Sequence, residues 1–540
     1  MLRQILSRLS LFCLSLCLIV SCSTRPIPTS SPSAELKSGE GRIAIGTTSR
    51  IRTLDPADAY EIFPGILLNN LSDRLYTYAS ESTELEPQLA TALPRVSPDG
   101  LTYTIPLRQG VVFHDGTPFN AKAMAFSLNR LIQNGGQPAF LFSEKIASIQ
   151  APEEYELVIR LREPFAAFPS LLTFFGACAV SPQVYELGTG KFKPETLVGT
   201  GPYRLAAYGP DSLRLEVFDR YWGKKPQNRG IDIQLLSSPA NLYNSFRTGG
   251  VDVAYQNLEP EQVQQLKQDA KREGWQVVET QGSAVTLWAL NVRQKPLDNP
   301  LVRQAIAAVV NRPLINDRVF QGQAAPLYSL IPDNFAASRP VFKDQFGENN
   351  PALAQKLLIQ AGYSATHPLK VQVWYPANST VRGLIAGVLK ALVQEQLGGI
   401  LQLELKSVDS ATANQNLDQG VYPSFLLSWY PDFYDVDTYI QPFLHCARGS
   451  EKLGCQSGAS QSQGSFYYNL QVNKQVTAQR QTHDPEARRK ILAELQQALV
   501  KDVPYIPLLQ NKEYAFARQR VEGVRVSPTQ QFPFWTIRKS

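Results

Sequence analysis

The chain holds only four histidines in 540 residues, and it lacks the short signatures that identify common hydrolases. Neither Gly-x-Ser-x-Gly nor His-Glu-x-x-His occurs, so the usual nucleophile elbow and the zinc-protease helix are excluded. Gly199-Thr200-Gly201 lacks the third glycine of a dinucleotide fingerprint, and Pro202 removes an N–H there. Gly188-Thr189-Gly190-Lys191 falls short of a phosphate loop. Phe192 stands where a metal-binding hydroxyl is needed, and Tyr185 replaces the first glycine. His114 beside Asp115 could form half of an acid–base pair, but Gly116 and Pro118 around it favour a structural turn. Strong charge is also missing. The net charge is +6, with Lys and Arg scattered rather than clustered, which is too mild to argue for nucleic acid. No internal repeat is present. A hydrophobic content of 43% with 19% charged residues is ordinary for a soluble globular protein, and the length calls for two or three domains.

One short apolar stretch is present, from about Leu9 to Val20, preceded by Arg3 and Arg8. It is shorter than the roughly 20 residues of a bilayer span, and its length and flanks suit an export signal. It ends in Ile19-Val20-Ser21-Cys22, the pattern of a cysteine after a small residue that bacterial lipoprotein processing requires. Residues 1–21 are therefore expected to be a signal peptide, with Cys22 lipidated and residues 22–41 a flexible, Ser/Thr/Pro-rich tether. Removing residues 1–21 deletes two arginines and no acid, taking the net charge from +6 to +4. No second long apolar run follows, so nothing is expected to span the membrane.

Outside the signal the cysteines are Cys22, Cys178, Cys446 and Cys455. Cys446 and Cys455 close a short loop, and an exported protein works where disulfides persist, so a bond between them is expected. By the chain-entropy argument it contributes about 2–3 kcal/mol. Cys178, in an apolar run, reads as a buried small hydrophobe. The rival is a metal site at His445-Cys446 with Cys455, which needs more ligands than four histidines readily supply.

Strand and helix periods alternate along the whole chain, which makes the class mixed α/β. Leu101, Tyr103, Ile105 and Leu107 alternate as a strand, with Pro106 expected to confine it to an edge. Ile231, Ile233 and Leu235 alternate likewise, as do Leu369, Val371 and Val373. Helical spacing joins Met124, Leu128 and Leu131. It recurs after Pro300 at Val302, Ala305, Ile306 and Val309, with Asp298 or Asn299 as cap. Leu353, Leu357 and Leu358 form a third helix that Gly362 can end, and Ile491, Leu492, Leu495 and Leu499 a fourth. These stripes are core rather than ligand sites.

The remaining constellation is aromatic and acidic: Trp429-Tyr430-Pro431-Asp432-Phe433-Tyr434-Asp435-Val436-Asp437-Thr438-Tyr439. Aromatics offer a sequence-tolerant apolar surface with polar tips. A poorly solvated carboxylate among them favours a cation such as a peptide α-ammonium. The alternative is a solvated acidic loop with aromatics packed beneath, and the residues alone do not separate the two.

Several ordered blocks resemble one family. They are Thr53-Leu54-Asp55-Pro56-Ala57, Leu85-Glu86-Pro87-Gln88-Leu89-Ala90, Ser97-Pro98-Asp99-Gly100-Leu101-Thr102-Tyr103 and Leu107 through Pro118. Further on come Gly199-Thr200-Gly201-Pro202-Tyr203, Tyr221-Trp222-Gly223, Leu290-Asn291, Val302-Arg303-Gln304-Ala305 and Ala361-Gly362-Tyr363. From about residue 42 to 535 the chain resembles the dipeptide/oligopeptide/nickel-binding solute-binding proteins, family 5, the extracytoplasmic receptors of ABC importers. Ala123 and Asn311 depart from acidic residues usual in that family.

The resemblance implies an α/β, two-lobed periplasmic-binding-protein fold of the class II, cluster C type, with an extra subdomain in the larger lobe. The expected boundaries are 42–78, 197–283 and 505–540 for lobe I, 79–196 for the extra subdomain, and 284–504 for lobe II. It implies a binding protein, not an enzyme, that closes on a short peptide and delivers it to ABC permease subunits. The peptide α-amino group would pair with Asp432, with Trp429 and Tyr430 as pocket wall and Tyr60, Glu61 and Ile62 contributing from the other lobe. No cofactor, resident metal or nucleic acid is expected, and the protein should be a monomer, held at a membrane outside the cytoplasm through Cys22. A nickel complex or another small solute, with His445 serving a chelated metal, is the alternative ligand, and an exported hydrolase the alternative class.

Overall fold

Residues 41–79 and 83–540 are described by a computed structural model. The expected signal segment, Cys22 and all of the tether except Gly41 lie outside the described residues. The strand periods assemble into a mixed sheet of 11 strands. In chain order these are β1 (Ile43–Thr47), β2 (Tyr203–Tyr208), β3 (Ser212–Val217), β4 (Ile231–Leu235), β5 (Val253–Tyr255), β6 (Gln276–Leu290), β7 (Ala324–Pro326), β8 (Leu369–Pro376), β9 (Leu401–Val408), β10 (Ser424–Trp429) and β11 (Tyr505–Ala517). Their spatial order is β9-β8-β10-β6-β11-β5-β1-β4-β3-β2, with β7 beside β11.

The two long central strands carry the sheet from one half to the other. Gln276 to Gln281 of β6 pair with Ala517 to Lys512 of β11, and Val285 to Ala289 pair with Gln510 to Tyr505 after a register shift. The residues between, Gly282 to Ala284, are left without ladder partners, and a bulge of this kind turns the strands. Side chains satisfy the freed carbonyls: Gln510 Nε2 donates to Gly282 O at 2.7 Å and Tyr439 Oη to Ser283 O at 2.6 Å.

Four hydrophobic clusters lie among the described residues, a small one around Phe246 and Phe516 and three large ones in the elements around this crossing. One includes Trp288, Ile306, Leu358, Val373, Leu389 and Leu495. A second lies under a four-stranded antiparallel sheet and includes Tyr103, Met124, Leu157 and Phe168. The third joins Ile45, Leu67 and Ile233 to Phe534 near the C-terminus. The helix signals act as their chemistry requires: Asn299 Oδ1 accepts from Leu301 N–H ahead of Pro300–Val309, and Gly362 adopts φ 91° just beyond Pro351–Gln360.

Pro106 does not make an edge strand, contrary to expectation. Thr102–Pro106 lies between Arg95–Val96 and Glu156–Leu161. The neighbour on one side is only two residues long and pairs at Tyr103 and Thr104. Beyond that pair only the short stretch Leu89 to Thr91 faces the strand, where Thr91 N–H donates to Pro106 O at 2.9 Å, so the proline gives up a single ladder bond at the frayed end of the strand.

Candidate functional site

The acidic–aromatic segment begins where β10 runs out of the sheet at Trp429 and ends in the helix Asp437–Leu444. Facing it is the stretch Ala59 to Ile62, which leads into the helix Ile62–Leu71. The Leu-Asp-Pro turn fixes that stretch. Asp55, fully buried, accepts from Ala57 N–H at 2.9 Å and Lys193 N–H at 2.6 Å, and receives both Arg130 Nη1 (2.6 Å) and Nη2 (2.7 Å). On the opposite side Phe433 packs edge-on against Phe165 of the second core, with centroids 6.2 Å apart. Both segments are thus anchored by packing beneath them.

Between them lies a cavity of about 490 Å³. Of the expected residues, Tyr60, Glu61, Ile62, Trp429, Tyr430 and Asp432 all line it. Tyr60 Oη donates to Asp432 Oδ1 at 2.5 Å across the gap. Among the described residues this is the only hydrogen bond to the Asp432 side chain, and Asp432 forms no ion pair. Burial pushes its carboxyl up to about 6, although the Tyr60 hydroxyl and the charge of Lys145 pull the other way. Tyr60 is held well above the ordinary phenol range by burial and the adjacent carboxylate.

The two other aspartates of the segment are neutralised. Asp435 receives Arg488 Nη1 and Nη2 at 2.9 and 2.6 Å. Asp437 accepts from Gln479 Nε2 at 2.5 Å and lies 3.3 Å from Arg480 Nε. Of the three, only Asp432 faces the cavity, and it has no ion-pair partner among the described residues, Lys145 acting on it only from beyond ion-pair distance. Two donors beside it are orphaned: Trp429 Nε1 and Tyr434 Oη are buried without a hydrogen-bond partner, a costly state inside a protein. Tyr434 stacks on Phe335 at 4.3 Å. Glu61 is committed elsewhere, to Arg52 Nε at 2.8 Å and Tyr60 N–H at 3.1 Å.

Several lining residues were not singled out from sequence: Phe174, Phe175, Ser283 and Gln530. They come from segments far apart in the chain and carry no local motif. Gly65 is their one faint signal, because a Cβ there would stand 2.5 Å from the Phe175 ring.

His114 has the role of a turn residue. Its Nδ1 accepts from Gly199 N–H at 3.2 Å and its Nε2 donates to Gly201 O at 3.1 Å. Burial lowers its pKa to about 4, so the neutral ring clasps two glycine-rich turns together. Cys446 and Cys455 are joined, with Cα atoms 5.6 Å apart, which consumes both thiols of the rival metal site. His445 lines neither this cavity nor the larger one beside it, and no group of three or more His, Cys, Asp and Glu suited to a metal occurs among the described residues. Cys178 is buried, as a small hydrophobe would be.

A two-part sheet crossed by paired strands, with a charged cavity at the crossing, defines a two-lobed solute-binding protein. The family model of bacterial extracellular solute-binding proteins, family 5, middle region, matches residues 84–451, and the chain belongs to that family. It is 27% identical over 504 residues to the glutathione-binding protein GsiB of Salmonella typhi, covering 91% of this chain and 93% of that protein. Among solved structures it superposes on the periplasmic binding protein DppA of Helicobacter pylori in complex with the peptide STSA (TM-score 0.73, 22% identity, 92% and 98% covered). It also superposes on NikZ of Campylobacter jejuni in complex with Ni(L-His) (TM-score 0.75, 20% identity, 93% and 100% covered). The family acts outside the cytoplasm, and no helix among the described residues is long and apolar enough to cross a membrane.

Proposed function

We propose that the protein captures short peptides between its lobes and hands them to the permease of an ABC importer. The observation that carries this reading is Asp432: alone among the three aspartates of its segment it meets no arginine, and its Oδ2 accepts from no described group. A peptide α-ammonium supplies the missing charge through a charge-assisted hydrogen bond. Trp429 Nε1 and Tyr434 Oη then serve as donors to the peptide carbonyls, and Tyr430 and Ile62 flank the backbone. Tyr60 belongs to lobe I and Asp432 to lobe II, taking the lobes as 42–78 with 197–283 and 505–540, and as 284–504, with 79–196 as the extra subdomain. A ligand that touches both lobes only when they are shut stabilises the closed state. The relatives named for glutathione and for a tetrapeptide support peptide-sized ligands.

Native mass spectrometry of protein purified without refolding tests the reading. One peptide mass per single chain is expected, which also reads the proposed monomer. A metal complex or a non-peptide solute as the sole adduct overturns the peptide assignment.

The anchor is part of the same proposal. Lipidation of Cys22 keeps the receptor near its permease and raises the effective concentration of loaded protein. Cys22→Ser should move the protein from the membrane fraction to the soluble one with peptide affinity unchanged. Retention in the membrane fraction would remove the anchor assignment.

A further inference from the structure

A second cavity of about 620 Å³ adjoins the first and shares Glu61, Ile62 and Tyr430 with it. One wall is β11 at the crossing, through Asn511, Lys512, Glu513 and Tyr514. Glu513 is the unexplained group here. Among the described residues its carboxylate accepts no hydrogen bond and forms no ion pair, and burial pushes it up to about 7. It extends over the register shift between β6 and β11. A Cβ on Gly282 would lie 3.2 Å from Glu513 Oε1, so the glycine leaves the space the carboxylate occupies. Two residues earlier on the same strand, the Asn511 Oδ1 is buried without a donor.

The neighbouring charges do not answer Glu513. Lys512 Nζ is directed to Glu279 Oε1 at 3.8 Å, and Glu61 is held by Arg52. Arg50 lines the cavity but is exposed, where water and salt screen it. Glu513 is partly buried and lines the cavity beside an unpaired amide oxygen, so a cation entering there meets an acceptor with no competing partner among the described residues.

We propose that this cavity is a second subsite of the same binding groove, where Glu513 and the Asn511 amide oxygen receive a cationic side chain of the bound peptide, lysine ammonium or arginine guanidinium. The inference rests on the peptide reading above and adds a specificity to it: peptides with a basic residue are preferred over neutral ones.

Calorimetry on the full mature chain tests it with Ala-Ala-Ala, the three tripeptides carrying one lysine, and their norleucine counterparts. At one position lysine should bind about tenfold more tightly than norleucine. In Glu513→Gln that advantage should fall below about threefold, with Ala-Ala-Ala affinity unchanged, and Asn511→Ala should reduce it in the same direction. No lysine advantage at any position in the native protein overturns the subsite, as does an advantage that survives Glu513→Gln. If Ala-Ala-Ala binds normally in either case, the peptide reading stands and the subsite alone fails. If no peptide binds at all, both fall together.

Discussion

Asp55 and Asp432 each sit beside a proline, Asp55 buried beneath the segment that carries Tyr60 and Asp432 on the facing wall of the cavity, and the fold treats them in opposite ways. Asp55 is fully buried and saturated, with two backbone N–H donors and both terminal nitrogens of Arg130. Asp432 has one hydroxyl from across the gap and no ion-pair partner among the described residues. A buried carboxylate with every lone pair satisfied is a structural joint, because nothing further can bind to it. A carboxylate left half-satisfied in a cavity raises the free energy of the empty protein and lowers that of a complex with a cation. Residue type does not separate the two roles; the number of donors already present does.

The largest expected effect breaks the first half of this comparison. Asp55→Ala leaves Arg130 charged and buried, which costs about 3–5 kcal/mol. Urea unfolding measures it. A variant as stable as the native chain would show that the Asp55–Arg130 pair is not a joint.

The second half predicts the reverse pattern. Asp432→Ala should weaken peptide binding at least about tenfold, or about 1.4 kcal/mol, without unfolding the protein; calorimetry with unchanged affinity would sink the assignment. Stability should move the other way. The folded pKa of Asp432 lies near 6, above its value of 3.8 when solvated. The folded state therefore binds more protons between those values, and its stability falls as pH rises through them. Asp432→Asn removes that term. It should raise the unfolding midpoint of ligand-free protein at neutral pH and leave it unchanged near pH 4. A midpoint that drops at neutral pH would mean Asp432 is needed for folding, like Asp55.

The sequence carried much of this, unevenly. Helices such as Pro300–Val309 were legible because capping and spacing act over a few residues. The glycine-rich turns were legible too, but not that His114 reaches across about 85 residues to bond both Gly199 and Gly201. Pro106 was misread because whether a strand lies at an edge depends on where its neighbour stops. In the site, Trp429 and Asp432 stood out as an aromatic–acidic cluster, yet Asp435 and Asp437 looked the same. Only Arg488 and Arg480, brought in from a later pair of helices, distinguish them. Glu513 was invisible for a related reason. In Lys512-Glu513-Tyr514 it reads as the solvent face of a strand, and its position over Gly282 exists only once β6 and β11 shift register.

The smallest effect is the pH dependence of binding, and it sharpens the comparison most, since only an unpaired carboxylate produces it. The ammonium pairs with the charged form of Asp432, so affinity should halve near pH 6 and fall with further acid until it levels off near that of Asp432→Asn. At the alkaline end a peptide α-amino group loses its proton near about pH 8, and affinity should fall again. The profile is then a plateau between the two values. Calorimetry from pH 5 to 9 in the native protein and in Asp432→Asn separates the limbs: the variant should lose the acid limb. The acid limb reports on the protein and the alkaline limb on the ligand. An acid limb that persists without the carboxylate would assign the proton, and with it the ammonium site, to another group in the cleft.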